Sequence, residues 1–214
     1  MKLNIIDLNT WKRSEHLLHY LNNLKNVVSM TVDIDVTNFL QQTRESSIRF
    51  FPAFLYVVTK TVNRHEEFRM GYGPEGKVGI WDEVCPSYIV FHPDDETLTR
   101  IFTPWKDDFQ MFYRSVTGDM DKHQSFRGFS IDNVPPNIFD VSCVPWTRYN
   151  SLDIHVFDKG TYLAPVITWG KFDTDYAGKI TLPLSMQIHH AAADGFHICR
   201  FFNEVQGLCD TLSL

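Results

Sequence analysis

Two histidines, His189 and His190, stand side by side near the C-terminus. Asp194 follows four residues after the second, with Gly195 and His197 just behind. An imidazole changes charge near neutral pH, so it can take a proton from a hydroxyl or thiol and hand it on. His189, His190, Asp194 and His197 are also metal-ligand types, which makes a metal centre the rival reading. Two things weigh against it. Neighbouring residues of a strand point to opposite faces, so His189 and His190 do not converge on one ion. No His-Glu-x-x-His motif occurs either. Serine nucleophile chemistry lacks its Gly-x-Ser-x-Gly elbow, and no phosphate-cradling Gly-x-Gly-x-x-Gly or Gly-x-x-x-x-Gly-Lys loop is present.

The elements around these residues follow from pattern. Ile180 to His190 alternates and reads as a strand. Ile180, Leu182, Leu184, Met186 and Ile188 share one face, and His190 continues it. His189 falls on the other face with Thr181, Pro183, Ser185 and Gln187. On this parity His190 points into a pocket or core, and in an apolar pocket an imidazole is kept neutral near pH 7 and able to accept a proton. A histidine at a strand end is commonly a satisfied structural residue. The tandem pair before Asp-Gly at a strand-helix junction favours a base. Three small alanines suit a tight turn, and Asp194 stands where the cap of a helix from Phe196 to about Leu212 belongs. Asp194 could also pair with a buried arginine. Arg13 is a candidate that spacing alone does not place.

Upstream, residues 3–6 suggest a short strand, and Asn9-Thr10 can cap an amphipathic helix over Trp11–Leu21. Val28 to Val36 alternates as a half-buried strand, and Thr37 can cap a helix to about Thr43. Phe50 to Arg64, with Pro52 in its first turn and few charges, predicts a helix buried on most sides. Phe68–Tyr72, Val78–Trp81 and Cys85–Phe91 read as a hairpin or meander, and Leu98–Phe102 as one more strand. Asp107-Asp108 can cap a helix from Phe109 to Met120. Residues 122–137 are the longest irregular stretch. Phe139–Val144, Leu152–Phe157 and Leu163–Phe172 read as further strands, with Gly160 in a turn. The order predicts a single α+β domain over residues 1–214, a mixed, mostly antiparallel sheet flanked by helices.

Composition narrows the partners. At 214 residues the chain can bury a sizeable core. Its net charge of -6 with no basic block argues against nucleic acid and against an anionic membrane surface. The N-terminus has no apolar signal segment, and the longest apolar run, Phe50 to Val58, is too short to span a bilayer. Cys85, Cys143, Cys199 and Cys209 form no Cys-x-x-Cys pair and are expected as reduced thiols in a cytoplasm. Cys199 and Cys209 lie among apolar residues and are expected to be buried. Most of the 17 Phe, 8 Tyr and 5 Trp are core, with a minority free to line an apolar pocket.

His189-His190-Ala-Ala-Ala-Asp194-Gly195 resembles the HHxxxDG acyltransferase group, to which the catalytic domains of dihydrolipoamide acyltransferases belong. Its context is more specific: Gln187-Ile-His-His-Ala and Asp194-Gly-Phe-His197, then Arg200-Phe, Asn203-Glu and Gln206. With Trp11-Lys-Arg13-Ser-Glu15-His16, Phe68-Arg-Met70, Val90-Phe91-His92, Ser142, Pro145-Trp146 and Ala164-Pro-Val-Ile-Thr168, the chain resembles the chloramphenicol acetyltransferase family from end to end. That resemblance implies acetyl transfer from acetyl-CoA, a co-substrate and not a resident cofactor, to a hydroxyl of chloramphenicol. It implies a homotrimer with active sites between subunits. His190 then matches the general base, Ser142 the hydroxyl facing the oxyanion, and Thr168 a residue that helps there through water. Asp194 and Arg13 match a buried ion pair holding the turn. Tyr20, Leu24, Leu98, Phe129, Leu152, Ile154 and Val166 match the drug pocket, and Trp146, Lys171 and Phe172 the CoA site. No metal is implied. The chain departs from the family where all three residues inside the motif are alanine. Val28 stands where an aromatic is common, and His155 where Asn is common. Two alternatives keep the fold: a dihydrolipoamide-type or other small acceptor, and a non-catalytic CoA or hydrophobic-ligand binder.

Overall fold

Alternation along the strands sorts side chains onto two faces, and the sheets they build are of unequal size. The computed structural model describes residues 1–154 and 161–213, and among these there are ten strands. The strands are β1 (Leu3–Ile5), β2 (Val27–Asp35), β3 (Met70–Tyr72), β4 (Val78–Trp81), β5 (Cys85–His92), β6 (Thr97–Phe102), β7 (Ile138–Val144), β8 (Val166–Gly170), β9 (Asp173–Thr174) and β10 (Ile180–His189). The helices are α1 (Ser14–Asn22), α2 (Thr37–Glu45), α3 (Phe50–Asn63), α4 (Phe109–His123) and α5 (Gly195–Thr211).

The large sheet has seven strands in the order β2-β10-β8-β7-β5-β6, with β9 paired to β10. β7 runs parallel to both β5 and β8, and the remaining pairs are antiparallel. The mixed, mostly antiparallel sheet expected from the sequence is therefore present in one α+β unit. A second, small sheet was not expected. The predicted meander is split, because β3 and β4 pair with β1 in the order β1-β4-β3, while β5 joins the large sheet. Glu75 and Gly76 take the left-handed backbone conformation in the β3–β4 connection, which lets the hairpin reverse there and not continue into β5.

One face of the large sheet is apolar and carries the core. Leu182, Leu184, Met186 and Ile188 of β10, Ile167 and Trp169 of β8 and Val141 of β7 lie there, all buried. α3 covers this face. Phe54 meets Trp169 edge-on at 5.1 Å, and Phe51 packs between Trp169 and Tyr88. Ten residues of α3 are buried, as its lack of charge predicts, and α5 closes the face beside it, with Phe201 against Phe68. The opposite face is polar. Register places Ser142, Thr168, Ser185 and Thr31 in one row across β7, β8, β10 and β2.

Several boundaries differ from the sequence reading. α1 starts at Ser14, because residues 7–11 form a turn closed by Trp11 N–H donating to the Asp7 carbonyl. Thr37 begins α2 without capping it. Its hydroxyl instead bonds Asp35 and accepts from Ile180 N–H. Glu66–Arg69 is a short 3-10 turn that shortens the predicted Phe68–Tyr72 strand. The Leu163–Phe172 run is a strand only over Val166–Gly170. Leu152–Ile154 is irregular and not a strand, since Gln187 draws this segment across the polar face through the Leu152 carbonyl. The rest of that predicted strand and Gly160 lie outside the described residues. Asp108 caps α4 as expected, accepting from Met111 N–H at 2.7 Å. All four cysteines are free thiols, but Cys199 is exposed, contrary to expectation, with its Sγ 3.9 Å from Met30 Sδ of β2.

Candidate active site

β10 ends at His189, so the alternation that assigned His190 to the apolar face stops one residue early. His190 is the first residue of the turn. Its N–H donates to the Asn26 carbonyl at 3.0 Å. Its ring lies flat on Tyr20 of α1, with centroids 4.0 Å apart and planes within 7°. That stack fixes the ring in the half-buried position expected of a pocket-lining base. Among the described residues, its buried Nδ1 has no hydrogen-bond partner. His189 is buried, and its Nδ1 accepts from Ala191 N–H at 3.1 Å, so it ties the turn to the strand.

The three small residues of the turn, Ala191, Ala192 and Ala193, are fully buried. Asp194 caps α5, accepting from Phe196 N–H at 3.0 Å. Its other oxygen lies 3.0 Å from Arg13 Nη1, and Arg13 also donates to the Ala192 carbonyl. The pairing that spacing alone left open is therefore made. Burial pushes the Asp194 carboxyl up, but Arg13, His197 and the Phe196 N–H outweigh it and hold the group below the usual carboxylate range.

Ser142 sits in the middle of β7 and Thr168 opposite it on β8. The buried Thr168 backbone carbonyl accepts from the Tyr149 hydroxyl at 2.8 Å, which also lies 3.2 Å from Ser185 Oγ. Ser185 in turn bonds Thr31 at 2.7 Å. Burial pushes the Tyr149 phenol up to about 12, so it stays a proton donor. Gly170 is what admits this ring: a Cβ there would come within 2.8 Å of Tyr149. The sequence reading does not single out Tyr149, Ser185 or Thr31; register on the polar face could find Ser185 and Thr31, while Tyr149 lies in the connection after β7 and carries no such signal.

Within one chain the two halves of this chemistry stay apart. Ser185 pairs with Thr168, so His189 lies four residues further along β10, about 14 Å from that row. Ser142 is two strands over, about 10 Å sideways. Together that is about 17 Å, longer than both side chains reach. The residues matched to the drug pocket divide the same way. Tyr20 belongs with His190, and Leu24 is exposed just past α1. Val166 lies beside Asp140, two residues from Ser142. Leu98 is two residues from Arg100, whose N–H donates to the Phe129 carbonyl. Leu98, Phe129 and Ile154 are exposed and Leu152 half-buried.

The residues matched to CoA do converge. Lys171 N–H donates to the Thr147 carbonyl at 3.0 Å, which brings the exits of β7 and β8 together. Trp146 is 63% exposed and rests edge-on against Phe91, while Phe172 meets Phe50. They form an exposed aromatic and cationic rim. Among the described residues no cluster of His, Cys, Asp and Glu could hold a metal ion. The predicted departure at Val28 is a half-buried strand residue paired with Ile188. His155 lies outside the described residues.

Comparison with known proteins places the chain in a family. A family model described as chloramphenicol acetyltransferase matches residues 1–206. Chloramphenicol acetyltransferases of Clostridium butyricum and Clostridioides difficile are 39% and 41% identical over 209 and 204 residues. They align with 97% and 95% of this chain and with 95% and 94% of their own. A solved chloramphenicol acetyltransferase structure superposes with a TM-score of 0.85 at 21% identity, over 97% of this chain and all of that one. The cubic core of a pyruvate dehydrogenase multienzyme complex superposes with a TM-score of 0.68 at 16% identity, over 90% and 85% of the two chains. At those identities the two structures speak for the fold alone. A family model spanning nearly the whole sequence, full-length relatives near 40% identity, and a histidine turn locked by Arg13 and Asp194 lead to one assignment: the chain belongs to the chloramphenicol acetyltransferase family.

Proposed function

We propose that this protein transfers acetyl from acetyl-CoA to a hydroxyl of chloramphenicol, with His190 as general base. The single observation that carries the reading is the geometry of His190: a half-buried imidazole held flat by Tyr20 at the head of a turn clamped by Arg13 and Asp194. With its proton on the buried Nδ1, His190 keeps Nε2 open to the acceptor. The hydroxyl gives its proton to Nε2 as its oxygen attacks the thioester carbonyl. Ser142 donates to the oxyanion of the tetrahedral intermediate, and Thr168 supports the same spot through water. When the C–S bond breaks, the imidazolium returns the proton to the CoA sulfur, leaving free thiol and the acetyl ester. Leu98, Phe129, Leu152, Ile154 and Val166 form the apolar wall of the acceptor pocket together with Tyr20 and Leu24. Trp146, Lys171 and Phe172 receive CoA.

His189, the last residue of β10, already lies about 17 Å from Ser142 in one chain, and His190 follows it, so we place each active site between two copies of a homotrimer working in a cytoplasm. His190 of one subunit then faces Ser142 of the next. Thiol release from acetyl-CoA should depend on chloramphenicol, survive chelators and vanish in His190→Ala. Two inactive variants test the assembly. His190→Ala and Ser142→Ala, unfolded, mixed equally and refolded together, should regain about a quarter of wild-type activity, the fraction of interfaces with both groups intact. A mixture as dead as its parents would sink the shared site. Turnover of dihydrolipoamide but not chloramphenicol would move the acceptor assignment, and ligand binding without turnover would reduce the protein to a binder.

A further inference from the structure

The histidine in the first turn of α5 has no part in the proton transfers above, yet a carboxylate stands at each of its ring nitrogens. His197 is buried, with both ring nitrogens facing charge. Nδ1 accepts from the Asp194 backbone N–H at 3.2 Å and lies 2.9 Å from Asp194 Oδ1. Nε2 lies 3.2 Å from Glu67 Oε1, in the 3-10 turn after α3. Glu67 is held from its other side by Arg200 at 3.1 Å. A chain of alternating groups thus runs Arg13, Asp194, His197, Glu67, Arg200, from α1 through the histidine turn to α5 and the 3-10 turn.

The position is the third of the helix, where a Glu or Gln ordinarily reaches back to the cap residue's N–H in a capping box. An imidazole there does the same work with a difference. It accepts only while Nδ1 is bare. In the neutral Nε2–H form, Nε2 donates to Glu67 and Nδ1 accepts from Asp194 N–H. Both ends of the ring are then satisfied, and Asp194 keeps its carboxylate for Arg13 and Phe196. A proton on Nδ1 reverses that end. The ring now donates to Asp194 Oδ1, the Asp194 N–H loses its acceptor, and the carboxylate is shared between His197 and Arg13.

We propose that His197 is a positioning residue for the His190 turn, holding it in register when neutral and loosening it when protonated. This rests on His190 being the base. The groups facing His197 are Asp194 and Arg200 on its own side, Arg13 from the start of α1 and Glu67 from the 3-10 turn. Burial pushes the imidazole below its ordinary value, while Glu67 and Asp194 pull it back up, so the neutral form holds at pH 7 and the switch lies on the acid side.

The test uses kcat/KM against pH for the wild type, His197→Leu and His197→Gln. Gln restores the capping acceptor but takes no proton. Wild-type kcat/KM should fall more steeply at acid pH than that of His197→Gln, as His197 charges. His197→Leu should lose about 10- to 100-fold at pH 8, mainly in kcat, and His197→Gln should recover most of that loss. In His197→Gln the acid limb should be shallower than in the wild type. Nitrogen NMR of the wild-type imidazole should show the Nε2–H tautomer at pH 8. An unchanged acid limb in His197→Gln, or an Nδ1–H tautomer at pH 8, overturns the proposal, and neither result needs His197→Leu to fold. His190→Ala separates the two levels. If it keeps turning over, the proposed base has failed. If it is dead while the His197→Gln acid limb matches wild type, only the role of His197 has failed.

Discussion

Removing the Arg13–Asp194 pair should cost both stability and turnover, and the sizes can be worked out in advance. The two side chains are 13% and 33% exposed and meet at 3.0 Å. Exposed pairs contribute about 0–1 kcal/mol, and breaking a fully buried one costs about 3–5 kcal/mol. This pair lies between them, at about 2 kcal/mol once solvent at Asp194 is counted. Asp194→Asn keeps a side chain that caps α5 and so reads the charge alone, about 2 kcal/mol. Asp194→Ala loses the cap as well, a further cost of about 1 kcal/mol. Arg13→Leu leaves a half-buried carboxylate without its cation and should match Asp194→Asn. The double variant should show about 1–2 kcal/mol of coupling in urea unfolding at fixed protein concentration. In kinetics each single variant should lower kcat, by up to about a hundredfold, because the turn it loosens aims His190. The pH dependence has a definite sign. The folded carboxyl of Asp194 lies below its unfolded value, so its stabilisation is complete above about pH 4 and is lost as pH falls through the folded value. The gap between wild type and Asp194→Asn should close in acid. Additive single variants, with coupling under about 0.3 kcal/mol, would refute the idea that this pair locks the turn.

Two other outcomes follow from the same geometry. Ser142→Ala should lower kcat about 100- to 1,000-fold with little change in KM for either substrate, read by thiol release, since the hydroxyl acts on charge that exists only in the intermediate. A KM effect alone would assign Ser142 to binding. In the native protein one thiol of four, Cys199, should react quickly with a disulfide reagent at pH 8. Burial pushes Cys143 and Cys209 up to about 12, and Cys85 is raised as well, so these should react only after unfolding. Fast labelling of Cys143 would mean that β7 opens beside Ser142.

Local signals carry much of this molecule into its sequence. α3 is legible because Phe50 to Val62 has almost no charge, and α5 because Asp194 marks its start. β10 is legible from strict alternation, as are the tandem histidines at its end. What escapes is non-local. Alternation cannot say where a strand stops, so it puts His190 on the apolar face although the chain has already left β10. It cannot say which strands share a sheet, so it groups β3 and β4 with β5. The Leu152–Ile154 segment has a strand-like composition, but its neighbours on the polar face are side chains such as Gln187 and not another strand's backbone. Arg13 and Asp194 are 181 positions apart, and only the resemblance to a known family names them as partners without the fold. The Glu67–His197 contact escapes even that, since His197 stands out only as a metal-ligand type and within the family motif, and nothing local marks Glu67 as its partner.

The two faces of the large sheet divide the chain's exposure to mutation. The apolar face, under α3 and α5, holds none of the reacting groups, so changes there alter how much folded protein persists. The polar face holds Ser142, Thr168, Ser185 and Thr31, and on the mechanism proposed above changes there alter which acceptor fits. Abundance and selectivity can therefore drift separately under selection. A lineage of such chains can trade one acceptor for another while its core sequence stays nearly still.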